Sequence, residues 1–157
     1  MWRKALSNAR KKQRRYYSGK KKRHTQKAQL VVAHKTREII CVTGGKGREH
    51  DFKLFKRSQI AIAEEIECLA DKGYQGIKKL HGNSQTPQKQ LRGKELNKQE
   101  KQQNQVLASR RVVCEHVIGK LKVFRILGEK YRNRRRRFGL RLHLLASLYN
   151  LDLKLTR

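Results

Sequence analysis

Acidic residues are scarce in this sequence, so each one that could take part in chemistry can be weighed separately. The chain of 157 residues has 12 Asp and Glu against 41 Lys and Arg, and its three aspartates are Asp51, Asp71 and Asp152. Asp71 follows a short apolar run, and Glu115 lies in a long stretch with helical periodicity. Divalent cations such as Mg²⁺ take oxygen ligands from a few carboxylates, and two such ions can stabilise the attacking and leaving oxygens of phosphoryl transfer. This pattern favours a metal-dependent nuclease.

A purely structural interpretation of the same two acids stays open at this point. Asp71 precedes Lys72 and Gly73, so it could cap a turn. Glu115 could form an ion pair with Arg111, four residues earlier on the same helix. The residue types alone favour neither interpretation.

The formal net charge of +29 points to a polyanionic partner. So large an excess repels itself in the compact state and attracts phosphates, which favours nucleic acid. An anionic membrane surface is the competing partner, but the basic residues are spread along the chain. We find no amphipathic anchor and no apolar run of about 18 residues, and therefore predict no membrane partner.

The cysteines and histidines do not form a recognisable metal motif. Each cysteine sits in an apolar stretch without the paired spacing of a zinc site, and we predict buried thiols in a reducing compartment. The histidines flanking the motifs described below are predicted to be solvated or DNA-facing. The N-terminus has no signal-peptide core, which predicts a cytoplasmic, nucleoid-associated protein. The cysteines in question are Cys41, Cys68 and Cys114, and the histidines are His24, His50 and His116.

The first half of the chain must position Asp71. Residues 29–34 and 38–43 are rich in β-branched side chains and predict a hairpin. The glycines at 44, 45 and 47 predict a loop without the ending of a phosphate-binding loop. Asp51 is predicted to cap a helix and to lie away from the candidate site, and residues 58–66 to form a second short helix. Residues 67–70 predict a buried strand that ends at Asp71.

The second half must position Glu115. Residues 81–97 predict a loop, and a long helix is expected over about 98–126. Its apolar stripe comprises Val106, Val113, Val117, Leu121 and Phe124. Glu115 lies about 160° from Val117 around the helix, so it should face away from the core. A basic run over 131–137 precedes a leucine-rich closing helix over about 138–155.

Three strings in the sequence resemble one family. They are Tyr-Tyr-Ser-Gly-Lys-Lys-Lys-Arg-His-Thr at 16–25, Ala-Asp-Lys-Gly-Tyr-Gln-Gly at 70–76, and Arg-Arg-Val-Val-Cys-Glu-His-Val-Ile-Gly-Lys-Leu-Lys at 110–122. With Gly-Arg-Glu-His-Asp at 47–51 and Tyr-Asn-Leu at 149–151, they resemble the DDE transposases of bacterial insertion sequences, in the group related to Harbinger elements. The resemblance covers roughly residues 10–153.

The resemblance implies an α/β fold, an RNase H-like mixed sheet with flanking helices. It also implies that acidic residues bind Mg²⁺ (or Mn²⁺) as catalytic and metal-ligating groups. Asp71 matches the family's second aspartate, and Glu115, 44 residues later, matches its glutamate. The partners would be DNA at the element ends and target DNA, bound through basic residues. We assign that role to Lys20, Lys21, Lys22, Arg23, Arg111, Lys122, Arg134, Arg135, Arg136 and Arg137.

The sequence departs from the family pattern at its N-terminus. The family's first aspartate lies on a strand upstream of the basic segment, and residues 1–9 contain no acid. We therefore expect a basic arm over 1–23 and an N-terminally truncated RNase H-like DDE catalytic domain over 24–157, lacking the first strand. This transposase fragment should cleave DNA poorly alone. Self-association, or complementation by an upstream transposase fragment, stays open.

Two alternatives to a transposase remain from the sequence. Composition alone would suit a non-catalytic basic nucleic-acid-binding protein resembling a ribosomal protein. That alternative gives no reason for the Asp-Lys-Gly-Tyr-Gln-Gly string and Glu115 at their separation. A pseudogene product without a function of its own is the other alternative.

Overall fold

The computed structural model describes residues 17–18, 23–90, 93, 95–128 and 135–156. The strands in this part are β1 (Tyr17–Ser18), β2 (Arg23–His24), β3 (Gln26–Val32), β4 (Ile39–Lys46), β5 (Cys68–Leu69) and β6 (Ser84–Gln85). The α-helices are α1 (Asp51–Ser58), α2 (Lys98–Lys122), α3 (Arg125–Gly128) and α4 (Phe138–Leu155). Short 3₁₀ helices cover Lys72–Tyr74, Ile77–Lys79 and Arg135–Arg137.

The predicted hairpin is confirmed and is longer than expected. Strands β3 and β4 pair antiparallel from Gln26 opposite Lys46 to Val32 opposite Ile39, with an irregularity between Val31 and Val32. The connection closes through a hydrogen bond from Arg37 N to Ala33 O, and Arg37 has a φ of 62°. A second, shorter hairpin joins β1 to β2, within and just after the segment expected to be a basic arm.

The prediction that the glycines after residue 43 form a loop is wrong for two of them. Gly44 and Gly45 belong to β4 and pair with Ala28 and Lys27. A Cβ at Gly44 would lie 3.0 Å from the Phe138 ring, and one at Gly45 would lie 2.8 Å from Leu54. These glycines therefore allow two helices to pack closely on the strand. From the sequence alone, a glycine in this role cannot be distinguished from a glycine in a turn.

Two predictions around α1 are also corrected. His50, and not Asp51, occupies the N-cap position, and Asp51 is the first helical residue. Its carboxylate still lies at the positive end of the helix, where an acid is favourable. The helix predicted over 58–66 does not form, because α1 ends at Ser58 and Gln59 adopts a left-handed conformation with φ of 50°.

The strand that precedes Asp71 is short and partly buried. It consists of Cys68 and Leu69, and it pairs in parallel with Ser84 and Gln85. The predicted loop over 81–97 therefore contains one strand, β6. Beneath this region Phe55, Ala70 and Ile77 form a small apolar cluster.

The main core lies between the β3–β4 hairpin, α2 and α4. It comprises Ile39, Val42, Val117, Leu121, Phe138, Leu142, Ala146 and Tyr149. Helix α4 matches its predicted range, whereas α2 ends at Lys122 and is followed by the separate α3. Of the stripe predicted on α2, only Val117 and Leu121 are buried, because just the C-terminal half of this helix packs on the core.

The described part of the chain is a mixed α/β structure, as predicted. Its strands form three two-stranded sheets, β1–β2, β3–β4 and β5–β6, and the continuous RNase H-like sheet stays a prediction. Within the same residues, none of the helices combines the length and apolar character that a bilayer crossing requires.

Candidate active site

Asp71 stands at the C-terminal end of β5 with its side chain 59% exposed. It occupies the N-cap position of the Lys72–Tyr74 turn, and its Oδ1 accepts a hydrogen bond of 2.6 Å from the Lys72 amide. The turn-capping role weighed from the sequence is therefore real. The exposed carboxylate stays accessible to solvent, so a capping role and a ligand role are compatible.

Helix α2 brings Arg111 to Asp71. Arg111 Nη1 lies 3.4 Å from Asp71 Oδ1, and the arginine side chain is mostly buried, with 21% exposure. Glu115 follows Arg111 by four residues on the same helix, and it is exposed, as the helical periodicity predicted. Asp71 therefore has an ion-pair partner one helical turn before Glu115.

The neighbouring arginine fixes α2 to β5. Arg110 Nη1 donates to Glu67 Oε1 at 3.0 Å, and Nη2 contacts the other carboxylate oxygen. This bond to Arg110 lowers the pKa of Glu67 below its ordinary value. The ring of His34, in the β3–β4 connection, makes a 3.1 Å contact with Arg110 O. Consecutive arginines thus bind the acids on either side of β5.

Asp51 lies beside the same turn, contrary to the prediction that it lies away from the site. Lys27 Nζ donates to Asp51 Oδ1 at 2.7 Å and to the Glu49 carbonyl at 2.7 Å. A Cβ added at Gly73 would lie only 2.5 Å from Asp51 Oδ2. The carboxylate therefore packs against the backbone two residues after Asp71, which requires glycine at position 73.

Tyr74 lies where these groups meet. Its ring packs edge-on against Phe55, with centroids 6.2 Å apart and an angle of 88° between the planes. Burial, followed by the nearby charges of Asp51 and Asp71, raises the pKa of Tyr74 to about 12. The pKa of this phenol is therefore sensitive to the charges of both carboxylates, and the phenol is protonated at neutral pH.

Two of the cysteines, Cys68 and Cys114, favour the thiol form in this environment. Burial raises the pKa of Cys68 and of Cys114 above the ordinary value, and Glu115 adds to the effect at Cys114 while Arg111 opposes it. All three cysteines are free and partly buried, somewhat less enclosed than predicted. A raised pKa disfavours the thiolate that would bind metal.

Oxygen donors are the groups here that could hold a divalent ion. Asp71 and Glu115 are exposed carboxylates on neighbouring elements. Within the described residues, no group of three or more His, Cys, Asp and Glu side chains is arranged to hold a metal ion. Mg²⁺ commonly keeps several waters and takes only one or two protein carboxylates together with substrate phosphates, so two acids fit such an ion.

The residues predicted to bind DNA are only partly described. Lys122, Arg136 and Arg137 are exposed, whereas Arg111 is engaged with Asp71. Arg23 lies in β2 and Arg135 in a 3₁₀ helix. Lys20, Lys21, Lys22 and Arg134 fall outside the described residues.

Sequence reasoning missed the surroundings of Asp71. The Asp-Lys-Gly-Tyr string contains Gly73 and Tyr74, so their importance was visible there. The contribution of Lys27 had no such signal, because it depends on the pairing of Lys27 with Gly45 across the hairpin.

The chain is similar over nearly its whole length to one family of known proteins. Residues 4–150 match the family described as DDE superfamily endonuclease. The chain is also 50% identical over 150 residues to a probable transposase for insertion sequence element IS702 of Microchaete diplosiphon. That alignment covers 96% of this chain and 54% of the relative, so the chain spans about half the length of the curated relative. No solved structure matches the chain.

Proposed function

The chain belongs to the DDE superfamily endonucleases, and from that premise we propose that it takes part in metal-dependent cleavage and strand transfer of DNA at insertion-sequence ends. Its membership of the insertion-sequence DDE transposases confirms the prediction made from the motif strings. The observation that carries the proposal is the exposed Asp71 at the end of β5, paired with Arg111 one helical turn before Glu115.

Asp71 and Glu115 are the residues we propose as ligands of Mg²⁺ or Mn²⁺. When bound, such an ion supplies positive charge that stabilises developing negative charge on phosphate oxygens. Asp71 is pre-oriented for this role because its Oδ1 is held by the Lys72 amide. Glu115 is held on α2, a 25-residue helix with a capping box at Asn97 and Glu100. A rigid helix limits the positions that its carboxylate can take.

Arg111 has two successive partners in this proposal. In the absence of other cations its guanidinium neutralises Asp71. A cation at Asp71 would release the guanidinium, which then can bind a DNA phosphate through its fork of N–H donors. Lys122 and the arginines at 134–137 would bind further phosphates without reading bases.

The reaction proposed has two steps at the DNA backbone. Water first attacks a phosphodiester at the element end and leaves a free 3′-hydroxyl. That hydroxyl then attacks a phosphodiester of target DNA, and a new phosphodiester forms as the old one breaks. The substrates are therefore the element ends and the target DNA, and the basic surface holds both.

Cleavage by this chain alone is proposed to be slow. The resemblance assigns two of its acids, and the next carboxylate beside the Asp71 turn, Asp51, is neutralised by Lys27. Losing one well-placed charge-stabilising contact costs about 10²–10³ in rate. The chain would then bind DNA well and need a further acidic residue from outside these 157 residues for efficient cleavage.

The test measures Mn²⁺ binding first and cleavage second. Mn²⁺ binding to the purified chain is followed by electron paramagnetic resonance, and nicking is measured on DNA carrying the element ends. We expect Asp71→Asn and Glu115→Gln each to weaken Mn²⁺ binding at least several-fold. Asp152→Asn, which removes an exposed carboxylate on α4, is the matched control and should leave binding unchanged.

Cleavage is then compared with and without an upstream extension that supplies an aspartate. A large increase in nicking with the extension, lost in Asp71→Asn, is the expected result. Equal nicking by both proteins would show that the chain finds its third acid elsewhere. Mn²⁺ binding and cleavage insensitive to both Asp71→Asn and Glu115→Gln would refute the site and leave a non-catalytic DNA-binding protein.

A further inference from the structure

The outward face of α4 carries a continuous stripe of exposed leucines. These residues are between 43% and 79% exposed, although the same helix contributes Leu142, Ala146 and Tyr149 to the core. Monomeric proteins rarely expose apolar patches larger than a few hundred square ångströms, so such a stripe marks an interaction surface. The leucine stripe comprises Leu140, Leu144, Leu148, Leu151 and Leu155.

The stripe is separate from the face that packs in the core. At about 100° per residue, the five leucines span roughly 80° of the helix circumference. Their centre lies about 150° from the centre of the buried side chains of α4. Core packing therefore explains one side of α4, whereas the leucines on the other side are left exposed by the residues that the structure describes.

The spacing of the stripe is nearly symmetric about its own midpoint. The leucines follow one another at four, four, three and four residues. In two antiparallel copies of α4, Leu140 lies opposite Leu155 and Leu144 opposite Leu151. Leu148 of one copy then lies beside Leu148 of the other next to the two-fold axis, because the same flank of each helix meets in this arrangement. A two-fold interface requires this kind of self-complementary surface.

The charges of α4 permit such a pairing. The helix contains one Arg, one Lys and one Asp, a net charge of +1, whereas the whole chain carries +29. Arg141 and Asp152 lie on the same flank of the stripe, about 20° apart on the helical wheel. In the antiparallel arrangement the flank of Arg141 in one copy faces that of Asp152 in the other. The leucines could bury roughly 500 Å² per copy, about the lower limit of a specific interface.

From this face we infer that α4 binds α4 of a second copy of this chain, antiparallel and across a two-fold axis. The occupant is a second copy because the leucine spacing and the flanking charges both match the reversed stripe. The rest of the surface is strongly basic and repels its like, so salt strengthens this association. DNA binding has the opposite salt dependence. The inference does not depend on the proposed catalytic function.

The first test measures mass by sedimentation equilibrium in high salt, on protein treated with nuclease to remove bound nucleic acid. We expect a concentration-dependent dimer that weakens as salt is lowered. Leu144→Glu with Leu151→Glu should abolish it, because the two new carboxylates face each other across the axis. Since both leucines are exposed, circular dichroism should show an unchanged fold. Ile40→Glu with Val123→Glu, two exposed residues outside the stripe, is the matched control.

Disulfide trapping tests the register. With Leu144→Cys and Leu151→Cys together, mild oxidation should give a covalent dimer, because residues 144 and 151 of different copies are opposite. Leu144→Cys alone should not, since the two copies of residue 144 are about 10 Å apart along the axis. Efficient crosslinking of the single variant would show parallel pairing and overturn the inference. A chain that stays monomeric in high salt, or a dimer indifferent to Leu144→Glu with Leu151→Glu, would overturn it as well.

Discussion

Arg111 contacts one of the two acids that the proposed site uses and precedes the other by one helical turn. Its guanidinium contacts Asp71 at 3.4 Å, and Glu115 lies one turn farther along the same helix. An arginine in this position lowers the local negative potential and opposes a divalent cation. It also keeps Asp71 paired when no cation is present, which avoids an isolated carboxylate beside the apolar cluster under the turn.

Replacement of Arg111 should separate these effects. Arg111→Gln is expected to raise the affinity for Mn²⁺ several-fold, because partly exposed ion pairs are worth about 0–1 kcal/mol. The same variant should bind DNA more weakly. Arg110→Gln is the matched control, since Arg110 binds Glu67 and not Asp71. An unchanged or lower Mn²⁺ affinity in Arg111→Gln, measured by electron paramagnetic resonance, would contradict the competition.

Substitution of Gly73 is predicted to destabilise the fold, because the Asp51 side chain packs against this position. An alanine Cβ there would meet Asp51 Oδ2 at 2.5 Å and Asp51 Cβ at 3.1 Å. Gly73→Ala should lower the free energy of unfolding by about 1–3 kcal/mol, as overpacking does elsewhere. In an Asp51→Ala background the cost should be smaller, because the carboxylate is gone. Urea unfolding of the four chains measures the coupling, and simple additivity would rule out this contact as the cause.

The pKa of Tyr74 depends on the charges of the candidate site and can be measured by titration. Its pKa is raised to about 12 by burial and by Asp51 and Asp71, against 10.0 for an ordinary tyrosine. Between these values the folded chain retains a proton that the unfolded chain has lost, so stability falls as pH rises from about 10 to 12. Tyr74→Phe should lack this part of the decline. Absorbance of tyrosinate gives the pKa directly, and a value near 10 for Tyr74 would contradict its placement.

The side chain of Asn150 attaches α4 to β4, because it bonds the backbone N–H and C=O of one β4 residue as a paired strand would. Asn150 Oδ1 accepts from Ile39 N at 2.9 Å, and Asn150 Nδ2 donates to Ile39 O at 2.9 Å. The adjacent Tyr149 hydroxyl donates to Arg37 O at 3.2 Å. These bonds satisfy backbone groups at and just before the start of β4, and they give the Tyr-Asn-Leu string a structural role.

An amide is needed at position 150, because Ile39 presents one donor and one acceptor. Asn150→Asp keeps the shape but replaces the donor with an acceptor, so it should cost about 1–3 kcal/mol in unfolding free energy. Asn104 makes a similar pair of bonds to Gln88, in an exposed position. Asn104→Asp should therefore cost much less. Equal costs for the two substitutions in thermal unfolding would show that the bonds of Asn150 contribute little.

The elements that were predictable from sequence are those with a long, regular pattern. The β3–β4 hairpin, α2 and α4 have periodic apolar residues over many positions, and their types were correctly predicted. The predictions failed where a tertiary contact decides the local conformation. Gly44 is extended because Phe138 packs on it, and Gln59 ends α1 in a left-handed conformation that no nearby residue signals.

The same distinction applies to the candidate site. Asp71 and Glu115 were found because each lies in a specific string, whereas their surroundings come from distant parts of the chain. Asp51 and Lys27 lie 24 residues apart and meet only when β3 and α1 are packed together. The ion pair of Arg111 with Asp71 likewise replaced the simpler expectation that Arg111 pairs with Glu115 on its own helix.

At the scale of the whole molecule, α4 differs from the rest of the chain in its charge. The chain carries +29, yet α4 contributes a net charge of only +1 and carries the exposed leucine stripe. Low salt would favour contacts of the basic surface with DNA, and high salt would favour contacts between copies through α4. A dimer would present two basic surfaces, one for each of the two DNA segments that the proposed strand transfer would join.

The basic surface leads to a quantitative prediction for DNA binding. Each phosphate neutralised on duplex DNA contributes about −0.9 to the slope of log affinity against log salt concentration. The formal charge of +29 therefore predicts a steep slope and little dependence on sequence. Replacing the four arginines at 134–137 with serine should flatten the slope by roughly three to four if each binds one phosphate. The matched control replaces them with lysine, which keeps the charge but not the planar fork, so its slope should stay near the original.

Fluorescence anisotropy with two unrelated duplexes over a range of salt concentrations measures both the slope and the dependence on sequence. Salt-insensitive binding would contradict the electrostatic basis, and an unchanged slope in the serine variant would show that other basic residues hold the DNA.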